Sequence, residues 1–225
     1  GPTSCRNIDS IVLISFEGID GSGKSTQARL LHDYLSEAGQ DPLMVREPGG
    51  TDLSEKIRSL LLNEDVQVEP MAELLLFSAA RAQLCREKIR PALNEGRIVI
   101  CDRFYDSSTA YQGAGRDVAV EDVDIDWLNS LHQRATGGLV PDRTYLVEVD
   151  AGTALARRNR SDAGPDRMEG ASDGFYARVA AAYDRLARQE PDRFLRLDGT
   201  ASISAIQARV QSDVNRLLAA ARTEG

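Results

Sequence analysis

Ile11-Val12-Leu13-Ile14-Ser15-Phe16-Glu17-Gly18-Ile19-Asp20-Gly21-Ser22-Gly23-Lys24-Ser25-Thr26 decides how this chain folds. Residues 11–16 form a short apolar run that reads as a buried strand, and Gly18 to Ser25 matches GxxxxGK(S/T) in full. Glycines in such a loop let backbone N–H groups turn inward around phosphate oxygens, where a side chain would clash. Lys24 is placed to reach the β- and γ-phosphates of a nucleotide, and Ser25 to ligate Mg²⁺. The N-terminus of the following helix adds a positive field. Gly18, Ile19, Asp20, Gly21, Ser22, Gly23, Lys24, Ser25 and Thr26 are therefore the predicted nucleotide-binding set. As a ligand, Lys24 is expected to face solvent. A helix over 25–37, with Ala28, Leu31 and Leu35 on one face, completes the strand–loop–helix context. That context favours ATP or GTP binding over a merely flexible glycine turn.

Outward from this stretch, short apolar runs alternate with helical patterns, the arrangement of a parallel sheet wrapped in helices. Further strands are expected over 42–45, 97–101, 145–149 and 194–197. Thr51 or Asp52 can cap a helix carrying Leu53, Ile57, Leu60 and Leu61. Pro70 suits the first turn of a long helix running through Leu93, and Ile203, Ile206, Val210, Val214 and Leu217 mark a closing amphipathic helix. The expected fold is thus α/β, a five-stranded parallel sheet flanked by helices. It forms a single domain over 11–221 behind an N-terminal extension, 1–10, whose Gly1-Pro2 reads as a processing remnant. One stretch, 156–170, breaks the pattern with Arg157, Arg158, Arg160 and Arg167 among Asp, Gly and Pro. By itself it reads as a solvated charged loop.

A formal net charge of -8 argues against a nucleic-acid polymer as partner, although 27 lysines and arginines can still converge on a small anion. No apolar run approaches the ~18 residues that span a bilayer. No charged-then-apolar leader precedes the first strand, which points to the cytoplasm and away from a membrane. Cys5, Cys85 and Cys101 lack metal-like or redox-like spacing and read as reduced thiols. His32 and His132 are isolated and suit surface or helix roles. A GTPase would need a guanine-reading Asn-Lys-x-Asp, and none of Lys24, Lys56 and Lys88 has that setting. A small kinase remains, and other motifs must name its acceptor.

Phe16 to Thr26, Arg46-Glu47-Pro48-Gly49-Gly50-Thr51, Asp102-Arg103-Phe104 and Ser107-Ser108-Thr109-Ala110-Tyr111-Gln112-Gly113 together resemble the thymidylate kinase family, in that order and spacing. Pro141-Asp142 and Asp166-Arg167-Met168-Glu169 extend the likeness from residue 11 to the closing helix. The resemblance implies a P-loop nucleoside-monophosphate kinase that moves the γ-phosphoryl group of ATP to dTMP with Mg²⁺. It also implies a homodimer packed through helices. The alternatives are another monophosphate kinase acting on dUMP or UMP, and a nucleotide-binding module without turnover.

Phe77 and Arg81 lie four apart on one helix, so a ring and a guanidinium share a face. A pyrimidine could stack on Phe77 while Arg81 bonds a base carbonyl, and a core role for Phe77 is about as reasonable. The resemblance favours stacking. It also sets Ser108 and Gln112 on the base's polar edge, Pro48 near the thymine methyl group, and Tyr111 where a ribose 2′-hydroxyl would clash. It implies that Arg103 holds the acceptor phosphate, while Asp102 lies near the metal or its waters. Asp20 would contact the sugar 3′-hydroxyl or help place the phosphates, and Glu47 and Arg58 would organise the acceptor site. Some family members carry an arginine inside the phosphate loop where this chain has Gly21. Those without it resemble a bacterial type with a lid arginine, so 156–170 is expected to be an arginine-rich lid. Arg160, then Arg157, is the candidate to meet the transferred phosphoryl group.

Overall fold

Val12, Ile14 and Phe16 belong to one buried cluster and Leu13 to another, so the first strand, β1 (Val12–Glu17), is covered on both faces. Successive side chains of a strand point to opposite faces, and only a sheet with helices on both sides can bury them all. The computed structural model describes residues 12–63, 65–115, 125–160 and 173–223. The expected N-terminal extension and residues 161–170 of the expected lid lie outside the described residues.

Four more strands follow: β2 (Leu43–Arg46), β3 (Ile98–Asp102), β4 (Arg143–Glu148) and β5 (Phe194–Asp198). All pair in parallel, in the order β2-β3-β1-β4-β5. Because β1 and β3 are neighbours, with Phe16 opposite Asp102, the phosphate loop and Asp102-Arg103 leave the sheet side by side. Open parallel sheets bind ligands at this carboxyl edge.

Helix α1 (Lys24–Glu37) packs Ala28, Leu31 and Leu35 against Val12, Ile14 and Phe16. Helix α2 (Asp52–Leu62) is capped by Thr51 rather than Asp52, with the Thr51 hydroxyl accepting from Ser54 N–H at 3.1 Å. Ser54 Oγ in turn donates to the Ala80 carbonyl at 2.8 Å, tying α2 to α3 (Pro70–Leu84). The helix expected to run from Pro70 to Leu93 is interrupted: a wide π turn, Cys85–Ile89, separates α3 from α4 (Arg90–Asn94). Pro91 explains the break. It has no N–H for the carbonyl four residues back, and its ring would collide with that carbonyl in a regular helix.

Beyond β3, α5 (Tyr105–Ser108) runs into a second π segment, Thr109–Gly115. Three further helices carry no assignment from the sequence: α6 (Ile125–Thr136), α7 (Ala151–Arg158) and α8 (Asp173–Gln189). Residues 156–158, the first of the expected lid, are the last turn of helix α7 rather than loop. Asp150 starts that helix by accepting from Thr153 N–H at 2.8 Å, a cap that needs no apolar periodicity. The closing helix, α9 (Ile203–Thr223), covers the α1 face of the sheet with Ile206, Val210 and Val214. Among the described residues no helix is long and apolar enough to cross a membrane.

Thr51→Ala should cost about 1 kcal/mol of stability by removing the α2 cap. Urea denaturation should show a lower midpoint with an unchanged slope.

Candidate active site

Gly18 and Gly21 carry the phosphate loop through φ +140 and +84, which L side chains rarely adopt. A Cβ at Gly18 would sit 2.4 Å from the Val147 carbonyl oxygen, and one at Gly21 would sit 2.4 Å from that of Ala154. The loop is therefore wedged between the end of β4 and α7. Ile19 is buried beside Ala154, Ser22 N–H donates to the Ile19 carbonyl at 3.1 Å, and Gly23 is the αL cap of α1. Ser25 is exposed at the helix start and Thr26 is half-buried.

Lys24 is buried, at 6% exposure, rather than solvent-facing. Its Nζ lies 3.6 Å from Asp20 Oδ1 and is enclosed among charged neighbours. Burial and the nearby Arg103 charge lower its pKa, while Asp20, Asp102 and Glu17 work the other way.

Arg103 organises the opposite wall. It is a non-glycine residue with positive φ (71°), placed just after β3. Such a conformation costs on the order of 1–3 kcal/mol and persists where the surroundings enforce it. Its Nη2 donates to Asp20 at 2.5 Å and to Tyr111 OH at 3.1 Å, and its guanidinium carbon lies 4.8 Å from the Tyr111 ring centre. Nη1 donates to the Gly18 carbonyl at 3.1 Å and to Ser107 Oγ at 3.0 Å. Tyr111 OH donates to Asp20 Oδ2 at 3.0 Å. Burial opposes the Asp20 charge, but Arg103 and Lys24 outweigh it and hold the carboxyl well below the usual carboxylate range.

Beyond this pair opens a cleft. Glu47, Pro48, Arg58, Phe77, Arg81, Arg103, Ser108, Tyr111 and Gln112, the predicted acceptor-binding residues, all line it, together with Asp20. Phe77 is half-buried, packed on one side against the clusters that hold Ile57, Leu61 and Ala80. Arg81 is fully buried and donates from Nε to Glu47 at 2.7 Å and from Nη2 to Ser108 Oγ at 3.0 Å, while Nη1 has no protein partner. Burial raises the Glu47 pKa and Arg81 opposes it. Arg58 donates to the Pro48 carbonyl at 3.1 Å, and Gln112 donates to Glu73 at 3.0 Å.

The two predicted lid arginines part company. Arg157 donates to the Ser22 carbonyl at 3.2 Å and to the Gly199 carbonyl at 2.8 Å, so it lies on the phosphate loop. Arg160 is exposed on the turn after α7, with Nε donating to the Ala156 carbonyl. The metal candidates fit a cation in one respect: Asp102 Oδ1 is a buried carboxylate oxygen with no partner. No group of three or more His, Cys, Asp or Glu gathers among the described residues. Mg²⁺ does not require one, because it commonly uses one or two carboxylates plus substrate phosphates.

Sequence reasoning missed Leu62 and Ser107, which also line the cleft, and Glu17 and Tyr183 behind it. Ser107 lies inside a quoted motif, and Glu17 stands out as a charge ending an apolar strand. Tyr183 carries no local signal.

Comparison with known proteins agrees with this geometry. A family model described as thymidylate kinase matches residues 16–210. The chain is 44% identical over 210 residues to a thymidylate kinase of Bifidobacterium longum, covering 92% of this chain and 98% of the relative. It is 43% identical over 209 residues to one from Caldanaerobacter subterraneus, covering 93% and 97%. A crystal structure of thymidylate kinase from Ehrlichia chaffeensis superposes with a TM-score of 0.72 at 33% identity, covering 91% of this chain and 98% of that one. A phosphate loop packed against Arg103, a cleft lined by the acceptor motifs, and full-length relatives all lead to one assignment: the chain belongs to the thymidylate kinase family.

Proposed function

We infer that the cleft takes dTMP and the phosphate loop takes ATP, so that the chain transfers the γ-phosphoryl group of ATP to dTMP, giving ADP and dTDP. One observation carries this reading: nine residues from five separate sequence blocks converge on a single cleft that ends at Asp20 and Arg103. An oxygen of the acceptor phosphate forms a bond to the γ-phosphorus as the bond to the β,γ-bridging oxygen breaks. The attacking phosphate is already anionic, so no strong base is needed. The work is alignment and charge neutralisation.

Each side chain then has a physical task. Lys24 offsets charge on the β- and γ-phosphates, and Arg103 holds the acceptor phosphate near it. Asp20 sits between them and offers oxygens to the sugar 3′-hydroxyl. Phe77 stacks on the base. Arg81, anchored by Glu47, directs its unpartnered Nη1 to a base carbonyl, and Ser108 and Gln112 complete the polar edge. Arg58 fixes Pro48, whose ring meets the thymine methyl group. Tyr111 occupies the space of a ribose 2′-hydroxyl. Mg²⁺, held by Ser25 and by Asp102 directly or through waters, would neutralise phosphate charge when bound. Of the two lid arginines, Arg157 is the better placed to meet the transferred group, because it already touches the loop backbone.

Two further readings belong to the proposal. Leu53 and Leu60 are exposed seven residues apart on α2, and Leu75 is exposed on α3, which suits a homodimer packed through helices. The free, buried thiols of Cys85 and Cys101 suit a cytoplasmic protein.

Coupled measurement of ADP release with separate monophosphates should show dTMP preferred over dUMP and UMP. Equal rates with dTMP and UMP would remove the assignment of Tyr111 and Pro48. Phe77→Ala should weaken dTMP binding by ~1–3 kcal/mol while sparing ATP binding, by analogy with base–aromatic stacking. Calorimetric titration with each ligand, beside a melting curve, tests this; equal losses for both ligands would return Phe77 to the core. Arg157→Ala should lower single-turnover transfer by on the order of 10³-fold, the lower range for an arginine finger, with Arg160→Ala far milder. The reverse order would restore Arg160 to the role.

A further inference from the structure

Glu17 ends β1, is completely buried, and does not line the cleft. Three donors converge on its carboxylate: Phe104 N–H at 2.8 Å on Oε1, and Ser107 Oγ at 2.6 Å and Tyr183 OH at 2.9 Å on Oε2. Both hydroxyl oxygens also face Arg103, with Nη1 at 3.0 Å from Ser107 Oγ and 3.4 Å from Tyr183 OH.

The direction of these bonds follows from counting protons. An ionised carboxylate only accepts, a guanidinium only donates, and a hydroxyl has one proton to give. The two hydroxyls lie 3.0 Å apart and could bond each other, but then one carboxylate contact would lose its proton. With both protons on Glu17, both oxygens present lone pairs to Arg103. The carboxylate thus decides that two neutral groups act as acceptors toward a cation it does not touch. It also grips the backbone: Phe104 N–H bonds Glu17 while Arg103 N–H bonds the Phe16 carbonyl at 3.0 Å, bracketing the positive-φ residue on either side.

We propose that Glu17 is a positioning residue for Arg103, acting through Ser107, Tyr183 and the Phe104 amide to aim the guanidinium at the acceptor phosphate. The proposal rests on the reading of Arg103 as the group that holds that phosphate. Burial and the Asp106 charge outweigh Arg103, Ser107 and the Phe104 amide and leave the Glu17 carboxyl at about 7, so the ionised form that sets this bond pattern prevails above that pH. A purely structural carboxylate at that position would be replaceable by any group that keeps α8 attached. A positioning one would not, because a neutral amide supplies protons where the network needs lone pairs.

Glu17→Gln is the test, with KM measured separately for each substrate. Its amide NH₂ must find an acceptor, so at least one hydroxyl turns and Arg103 loses a partner. kcat/KM for dTMP should fall about 10- to 100-fold, with KM for ATP nearly unchanged, as expected for one mispaired buried group. Tyr183→Phe should shift KM for dTMP in the same direction by less. In an Arg103→Ala background, Glu17→Gln should change the remaining rate by no more than about twofold, since residues acting through one another are not additive. A parental KM for dTMP in folded Glu17→Gln, or its full effect retained without Arg103, overturns the proposal. Arg103→Ala alone keeps two failures apart: if it behaves like the parent, the reading of Arg103 is lost. If it is crippled while Glu17→Gln is parental, only the role of Glu17 is lost. Should Glu17→Gln not fold, Tyr183→Phe and Ser107→Ala carry the same cycle against Arg103→Ala, and effects independent of Arg103 refute it.

Discussion

Lys24 and Arg103 are two cations held at the edge of a low-dielectric core, and a single carboxylate, Asp20, stands between them. One of its oxygens is 2.5 Å from Arg103 and 3.6 Å from Lys24. Like charges this close repel strongly away from water, and the Arg103 charge already lowers the Lys24 pKa. Asp20 reverses part of that cost and leaves the trio with one net positive charge. That surplus is what a site for two polyanionic substrates needs. Everything else at the carboxyl edge serves this arrangement: the glycine loop brings Lys24 inward, and the turn after β3 brings Arg103 to meet it.

Beneath the trio lies a second tier of paired charge. Arg193 forks onto both oxygens of Asp106, at 2.6 and 3.0 Å, and reaches Glu190 at 2.7 Å. Burial raises the Asp106 pKa and Arg193 opposes it, and the Asp106 charge is then felt at Glu17. Buried ion pairs seldom add much net stability, because desolvation cancels most of the attraction. Their value here is directional. The bidentate Arg193 holds α5 through Asp106, and α5 carries Ser107 and Ser108, one toward Arg103 and the other toward Arg81.

The parts of the site written in contiguous motifs were legible from the sequence, because a phosphate loop or an Arg-Glu-Pro-Gly-Gly-Thr block carries its chemistry locally. The five strands were legible too, since a doubly covered sheet needs unbroken apolar runs. Helix α7 was not: Arg157 and Arg158 hide its pattern, and only the Asp150 cap announces it. The π turn at Cys85–Ile89 was implicit in Pro91, but its consequence depends on a helix continuing through the proline rather than stopping. Burial of Lys24 could not be read from its motif, because the groups that enclose it come from β1, β3 and the loop together. Tyr183 reaches Glu17 across 166 residues of chain, a contact with no local trace.

The contact between Gly21 and Ala154 bears on how such a chain can change by descent. In this protein the Ala154 carbonyl oxygen occupies the place where the first carbon of any side chain would go, 2.4 Å from it. No side chain can therefore enter position 21 unless α7 first withdraws, taking Arg157 off the loop with it.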